Sequence, residues 1–319
     1  MGVAGGTGGR GAAGGAGGTG GAAAAGGGTS DRTRAGIRLV ALDLDGVVYR
    51  GAMVLPGVIE ALEDVLRRGL DLRYVSNNST AHRETVSERL AGMGVPAGVE
   101  RVLTSGFVTG RWLRERLPEG APVMVLGEAG LMRELREAGL SVCHAPATDG
   151  AGAPISGACA FPAAVVVGMD RALSFHMVAA AQAAIMAGAL FVATNDDATY
   201  PTPHGLVPGA GAIVAAVATA AQAEPVLMGK PGLALAEALA SITGVPSSQT
   251  LFIGDRLSTD IAMGRAAGMI TALVLTGVTS EDDLEKARAE DATGDAGGVA
   301  LPDHVLADLR ELPALLDRL

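Results

Sequence analysis

The stretch Ile37 to Gly51 reads IRLVALDLDGVVYRG and decides the fold of this chain. Its apolar residues end in the acidic tetrapeptide Asp43-Leu44-Asp45-Gly46. A continuous apolar run that stops at a glycine is typical of a buried central strand in a parallel sheet. Residues two apart on an extended chain point to the same side, so Asp43 and Asp45 can face one ligand at the carboxyl end of that strand. Two acids beside apolar residues are costly unless a cation neutralises them, so we expect a metal partner.

Composition narrows the class of protein. The chain has 319 residues, enough by length for about two domains. Hydrophobic residues make up 49% and the formal net charge is -10, which suits an acidic globular protein. Because there is no basic excess, we expect no nucleic acid and no anionic membrane as partner. No apolar run approaches the length of a membrane span, and we expect no signal peptide.

Only two cysteines occur, Cys143 and Cys159. One disulfide is possible, but a chain of this length with one cysteine pair is typical of a reduced protein. We therefore expect two small buried thiols and a cytoplasmic location.

Strand and helix signals divide the chain into regions. Residues 1–35 are almost all Gly and Ala, which predicts a disordered tail because such a segment has little to bury. Short apolar runs and helical periodicity then alternate, which predicts an α/β fold with a doubly wound parallel sheet. Around Pro118 the pattern restarts. We therefore predict a core domain from 36–117 and 224–319, interrupted by an inserted α/β domain at 118–223.

Polar residues recur where these predicted elements meet. Ser76, Asn77 and Asn78 follow the second strand, Lys230 precedes a helix, and Asp255 and Asp260 follow a later strand. Taken singly, such residues are ordinary turns, helix caps or a solvated lysine. Their shared position at strand ends and helix starts instead favours one common site.

This set of residues resembles the motifs of the haloacid dehalogenase superfamily of phosphatases. Asp43 to Tyr49 is similar to its first motif, Ser76-Asn77 to its second, Lys230 to its third, and Gly254-Asp255 with Asp260 to its fourth. The resemblance covers roughly residues 37 to 316. It is closer to the NagD-like and para-nitrophenylphosphatase-like branch, which carries a large α/β cap. The segments that support this branch include Leu126-Gly127-Glu128, Val167-Gly168-Met169-Asp170, Ala193-Thr194-Asn195-Asp196, Pro208-Gly209-Ala210-Gly211 and Gly229-Lys230-Pro231.

The resemblance implies a Mg²⁺-dependent phosphatase that hydrolyses phosphate monoesters of small metabolites. Asp43 would be the nucleophile and form an aspartyl-phosphate. Asp45 would act as general acid and then as general base. The metal ligands would be Asp43, the backbone carbonyl of Asp45, and Asp255.

Three further residues would bind the phosphoryl group. Ser76 and the backbone of Asn77 would hydrogen-bond the phosphoryl oxygens, and Lys230 would contribute positive charge. Asp43, Asp255 and a phosphate dianion sum to about -4, which Mg²⁺ and Lys230 would offset by about +3. Supporting positions would be Asp260, Gly46 and Asn78.

The inserted domain would be the cap that covers the site and contacts the leaving group. Asn195, Asp196 and the segment Tyr200 to His204 are candidate substrate contacts, and the alternative for them is a turn-rich hinge loop. Because relatives often dimerise through the cap, the resemblance also implies a possible homodimer.

Two other functions stay open on the sequence. One is a phosphotransferase or mutase on the same fold, and the other is a non-catalytic regulator that binds a phosphorylated metabolite. The substrate is open as well, among phosphoglycolate, sugar phosphates, nucleoside monophosphates and pyridoxal phosphate.

Overall fold

The computed structural model describes residues 36–145, 161–202, 205–293 and 299–319. The predicted disordered tail at 1–35 lies outside these residues, as do Cys159 and His204.

Fifteen strands and ten α-helices are described, and they are numbered here in chain order. The strands are β1 (Leu39–Leu42), β2 (Tyr49–Arg50), β3 (Met53–Val54), β4 (Asp71–Ser76), β5 (Val102–Thr104), β6 (Pro122–Leu126), β7 (Ser141–His144), β8 (Ala164–Val167), β9 (Leu190–Ala193), β10 (Thr199–Thr202), β11 (Gly205–Pro208), β12 (Val226–Leu227), β13 (Thr250–Gly254), β14 (Ile270–Val274) and β15 (His304–Leu306). The helices are α1 (Val58–Arg67), α2 (Arg83–Gly92), α3 (Ser105–Arg114), α4 (Ala129–Glu137), α5 (Phe175–Met186), α6 (Ala210–Ala221), α7 (Ala234–Thr243), α8 (Ala262–Ala266), α9 (Glu281–Thr293) and α10 (Leu312–Leu316).

The larger sheet has six parallel strands in the order β15-β14-β13-β1-β4-β5. Strand β1 is central and buried along its whole length, as its unbroken apolar sequence predicts. Its side chains alternate between two apolar layers. Val40 and Leu42 pack into one layer with α1, while Leu39 and Ala41 pack into the other with α7. A sheet with apolar layers on both faces is the predicted doubly wound α/β architecture, which is confirmed.

The smaller sheet has five parallel strands in the order β12-β9-β8-β6-β7. It also separates two apolar layers, with Val123 and Val125 on one face and Met124 and Leu126 on the other. Strand β12 belongs to this sheet because Val226 and Leu227 pair with β9. It therefore lies in the smaller sheet although it follows residue 223, the predicted end of the inserted domain.

Two antiparallel hairpins, β2–β3 and β10–β11, were not predicted. The second occupies most of the segment proposed from the sequence as a hinge loop. Cys143 in β7 is disulfide-bonded, so the expectation of reduced thiols is wrong for this residue. The cytoplasmic location that it supported stays a prediction. Within the described ranges, no helix combines the length and apolar character needed to cross a membrane.

Candidate active site

The predicted catalytic residues converge at the carboxyl edge of the larger sheet. Strands β13, β1 and β4 are neighbours and parallel, so the residues that follow them meet at one edge. Asp43 follows β1, Ser76 ends β4, and Asp255 follows β13. All three are buried. Chain topology alone therefore brings together groups that lie far apart in the sequence.

Lys230 enters this cluster from the loop that follows β12 of the smaller sheet. Its side chain is buried, and Nζ lies 2.5 Å from Asp43 Oδ1 and 2.7 Å from Asp260 Oδ1. The same Nζ donates to the backbone oxygen of Val75 at 3.3 Å. Burial alone would lower the pKa of Lys230, but the charges of Asp260 and Asp43 outweigh burial and hold that pKa above its usual value. The lysine is therefore a fixed cation.

Three buried carboxylates share this single lysine. Oxygens of Asp43, Asp255 and Asp260 all lie within 4.8 Å of one another. Burial raises the pKa of Asp43 well above its ordinary value against the opposing charge of Lys230. Burial, with the charge of Asp260 next, raises the pKa of Asp255 to about 7. The cluster lacks positive charge, and hard carboxylate oxygens suit a divalent cation, so these residues fit the metal that the sequence predicts.

Backbone amides hold the two acids that follow β13. Asp255 Oδ2 accepts from the Val278 N–H at 2.7 Å. Asp260 Oδ2 accepts from the N–H groups of Asp255 and Arg256 at 3.2 and 3.1 Å. The two bonds of Asp260 form because residues 257–261 make a π-helical turn that brings Asp260 back over the end of β13. Asp260 is thus held against the lysine.

Two glycines allow the loops around Asp255 to approach it. Gly46 has a φ of +82°, and a Cβ there would lie 2.5 Å from Asp255 Oδ2 and 2.9 Å from Gly277 Cα. A Cβ on Gly277 would overlap the Asp255 side chain itself. The predicted supporting role of Gly46 therefore has a geometric reason, whereas Gly277 was missed by the sequence analysis.

Asp45 differs from Asp43 because its side chain is exposed. Its Oδ2 accepts from the Tyr49 hydroxyl at 3.3 Å. The protein atoms crowded around Asp45 raise its pKa, and the Arg89 charge and the Tyr49 hydrogen bond oppose that shift. Arg89 in turn stacks over the Tyr49 ring at 4.3 Å. An oriented carboxyl that opens to solvent suits exchange of a proton with a substrate.

The second motif makes more contacts than the sequence predicted. Ser76 Oγ accepts from the Asn78 N–H at 3.1 Å, and Asn78 Oδ1 accepts from the Thr80 N–H at 2.8 Å, so these side chains shape a turn. The Asn77 amide binds the backbone of Lys230 on both sides. Asn77 Oδ1 accepts from the Lys230 N–H at 2.7 Å, and Asn77 Nδ2 donates to the Lys230 carbonyl at 3.0 Å.

The candidate substrate contacts on the smaller sheet differ in how far their side chains are buried. Asn195 is buried and donates from Nδ2 to Asp197 Oδ2 at 2.8 Å, whereas Asp196 is exposed. Tyr200 OH accepts from Arg171 Nε at 3.3 Å. Asp197, which contacts the second motif, was missed. Its sequence signal is its place in the polar run that follows β9.

The comparisons with known proteins agree with this geometry. Residues 40–141 match the family model described as haloacid dehalogenase-like hydrolase, and residues 227–312 match the one described as HAD-hydrolase-like. The chain is 36% identical over 304 residues to glycerol-3-phosphate phosphatase of Gallus gallus, covering 91% of this chain and 96% of that protein. The chain belongs to the haloacid dehalogenase superfamily. It is a NagD-like phosphatase, a phosphomonoesterase of small phosphorylated substrates. The family predicted from the resemblance of its motifs is therefore confirmed.

Two further relatives point the same way. The 5'-nucleotidase YutF of Bacillus subtilis is 34% identical over 249 residues, which cover 77% of this chain and 91% of that protein. The crystal structure of glycerol phosphate phosphatase Rv1692 from Mycobacterium tuberculosis in complex with magnesium superposes with a TM-score of 0.73 at 34% identity, covering 86% of this chain and 76% of that one. Because these are enzymes, the interpretation of the chain as a non-catalytic regulator loses its support.

Proposed function

We propose that this phosphatase works through an aspartyl-phosphate on Asp43. In the first step an Asp43 oxygen attacks phosphorus, the bond between phosphorus and the ester oxygen breaks, and Asp45 gives its proton to the leaving alcohol. In the second step Asp45 takes a proton from water, the hydroxyl oxygen attacks the phosphorus, and Asp43 leaves as a carboxylate with release of inorganic phosphate. The contrast between buried Asp43 and exposed Asp45 supports this division of roles.

Asp43, the backbone carbonyl of Asp45, and Asp255 would hold Mg²⁺, which supplies positive charge beside the phosphoryl oxygens when bound. Lys230 stabilises negative charge on the same oxygens from its fixed position. Ser76 and the Asn77 backbone would donate hydrogen bonds to them. The structures of Rv1692 with magnesium and with calcium support a divalent metal ion.

We infer that the inserted domain at 118–223 acts as a cap. The contact between Asp197 and Asn77 supports this, because it brings the carboxyl edge of the smaller sheet to the edge where the catalytic residues lie. A cover in this position excludes water and contacts the alcohol portion of the substrate. Asn195 and Asp196 stay candidates for that contact, and so does His204, which lies outside the described residues.

The observation that carries the proposed mechanism is the position of Lys230 between Asp43 and Asp260 in a cluster of buried carboxylates. Its test is hydrolysis of para-nitrophenyl phosphate, glycerol 3-phosphate and a nucleoside 5'-monophosphate, with Mg²⁺ and with EDTA. The last two are chosen because the named relatives act on such esters.

We expect turnover that EDTA abolishes and Mg²⁺ restores, and we expect Asp43→Asn to lose at least about 1,000-fold in kcat because its amide is a poor nucleophile. Rapid quenching of wild-type enzyme with labelled substrate should trap phosphate on residue 43. Activity that survives both EDTA and Asp43→Asn would refute the mechanism. Transfer of the phosphoryl group to an added alcohol in preference to water would favour the phosphotransferase alternative.

A further inference from the structure

Asp197 joins the smaller sheet to the two loops of the larger sheet that carry the second and fourth motifs. Its Oδ2 accepts from Asn77 Nδ2 at 2.9 Å and from Asn195 Nδ2 at 2.8 Å. Its Oδ1 lies 3.9 Å from a guanidinium nitrogen of Arg256, the residue after Asp255. The side chain is about 20% exposed, so these contacts are partly shielded from water. No role in the reaction proposed above requires this carboxylate.

The side-chain amide of Asn77 connects Asp197 to the backbone of Lys230. Its amide oxygen accepts from the Lys230 N–H, and its amide nitrogen donates both to the Lys230 carbonyl and to Asp197. The loop is packed tightly there, because a Cβ on Gly229 would lie 2.7 Å from Asn77 Oδ1 and 2.5 Å from the Thr194 carbonyl oxygen. One side-chain amide therefore separates Asp197 from the backbone of Lys230.

The chemistry of the acceptor fixes the orientation of this amide. A carboxylate only accepts hydrogen bonds, so Asp197 requires the NH₂ end of Asn77 to face it. In that orientation the amide oxygen of Asn77 faces the Lys230 N–H. If the amide rotated by 180°, its NH₂ group would face the Lys230 N–H and its oxygen would face the Lys230 carbonyl oxygen. Neither hydrogen bond to the Lys230 backbone could then form. Asp197 therefore adds a third hydrogen bond to the amide orientation that the Lys230 backbone also requires.

We propose that Asp197 is a positioning residue that acts through Asn77 to hold Lys230 between Asp43 and Asp260. The proposal rests on the function proposed above for Lys230. It makes the position of the lysine depend on contact between the smaller sheet and the core. An enzyme whose smaller sheet separates from the core would lose the hydrogen bond that orders its lysine loop.

The first test is a double-mutant cycle on the full-length enzyme with Mg²⁺ and para-nitrophenyl phosphate. Asp197→Ala and Asn77→Ala should each lower kcat by roughly 10- to 100-fold, the size expected for loss of a charge-assisted hydrogen bond. If Asp197 acts through Asn77, the double variant should be no worse than Asn77→Ala alone. Asp197→Asn keeps an acceptor oxygen and should recover part of the loss. Asp291→Asn, an exposed carboxylate on α9, is the matched control and should leave kcat unchanged.

The second test does not depend on activity. Lys230 N–H exchange with deuterium, followed in a peptide that spans the loop, should be at least several-fold faster in Asp197→Ala than in wild type, with an unchanged melting temperature. An unchanged exchange rate, or effects on kcat that add up in the double variant, would overturn the proposal. If wild-type protein showed no turnover but Asp197→Ala still exchanged faster, the mechanism proposed above would fail while the positioning role stood.

Discussion

At the scale of single residues, the candidate site depends on short distances between its carboxylates, the Lys230 ammonium and the neighbouring backbone atoms. The Lys230 ammonium contacts Asp43 and Asp260, and Asp255 completes the cluster. Each acid sits beyond the end of an apolar strand, so the sequence was enough to predict their meeting at one sheet edge.

Other contacts could not be predicted from the sequence. Asn77 and Asp197 are separated by 120 positions, and they lie in loops that follow strands of different sheets. Strand periodicity specifies which residues face a core, but it says nothing of how two sheets are placed against each other. Gly277 was missed for the same reason, since its need for a small side chain comes from Asp255, a neighbour in space only.

Gly277 offers a test of the proposed metal site that substitutes none of its ligand residues. An alanine there would force the Asp255 carboxylate to move, because the added Cβ overlaps it. We expect Gly277→Ala to raise the Mg²⁺ concentration for half-maximal activity by about 10-fold or more, since metal affinity depends on the orientation of its ligands. The measurement is a Mg²⁺ titration at saturating substrate.

Gly92→Ala is the control for this titration. A Cβ on Gly92, the last residue of α2, meets no atom within 4 Å, so the substitution should leave the Mg²⁺ dependence unchanged. An unaltered titration for Gly277→Ala would mean that Asp255 does not need its observed position.

At the scale of elements, helix α4 fixes the smaller sheet to the core. A Cβ on Gly130 of α4 would lie 2.6 Å from the backbone nitrogen of His82. A Cβ on Gly110 of α3 would lie 3.0 Å from Ala138 Cβ. His82 Nε2 lies 3.1 Å from Glu137 of α4, while Nδ1 accepts from the Glu84 N–H. Because Nδ1 accepts from that N–H, Nε2 is the ring nitrogen that faces Glu137, and the imidazole links α4 to the start of α2.

Gly130 allows a direct test of this joint. The main-chain atoms around residues 80–82 leave no room for a methyl group, so Gly130→Ala must push α4 away from them. We expect a loss of about 1–3 kcal/mol in the free energy of unfolding, the usual cost of overpacking. Urea unfolding measures it.

Gly92→Ala serves again as the comparison, and we expect it to cost nothing because the added methyl group meets open space. A Gly130→Ala protein as stable as wild type would show that the helix does not need this close approach.

At the same scale, regular elements were easier to predict than irregular ones. Apolar runs and helical periodicity predicted the central strands because burial imposes those patterns. Hairpins β2–β3 and β10–β11 carry short, exposed or polar strands without such a pattern. The π-helical turn at 257–261, which brings Asp260 to the N–H groups of Asp255 and Arg256, likewise lacks such a pattern.

At the scale of the whole molecule, exposed apolar side chains concentrate on the smaller sheet and its helices. Helix α5 contains no charged residue, and Phe175 and Met186 at its two ends are 82% and 70% exposed. We propose that this face contributes to a homodimer formed through the cap, since apolar surface of this kind is typical of an interface.

We expect the wild-type enzyme to have the mass of a dimer by light scattering. The double variant Phe175→Glu with Met186→Glu should shift it to monomer, because the dimer would bury two unpaired charges in each subunit. Met53→Glu, which changes an exposed methionine of the β2–β3 hairpin, should keep the dimer. A wild-type monomer at micromolar concentration would contradict the proposal.

The two-residue strand β12 has a consequence for engineering. It is the edge strand of the smaller sheet, and only two residues separate it from Lys230, to which we assign charge stabilisation in the proposed reaction. In a chimaera whose junction lies before Val226, the donor's smaller sheet would lack its own edge strand β12. The recipient's β12 and Lys230 loop would then have to pack against a sheet from another protein. Exchange of substrate preference between such enzymes should therefore succeed more often with a junction placed after Pro231, so that donor cap and lysine travel together.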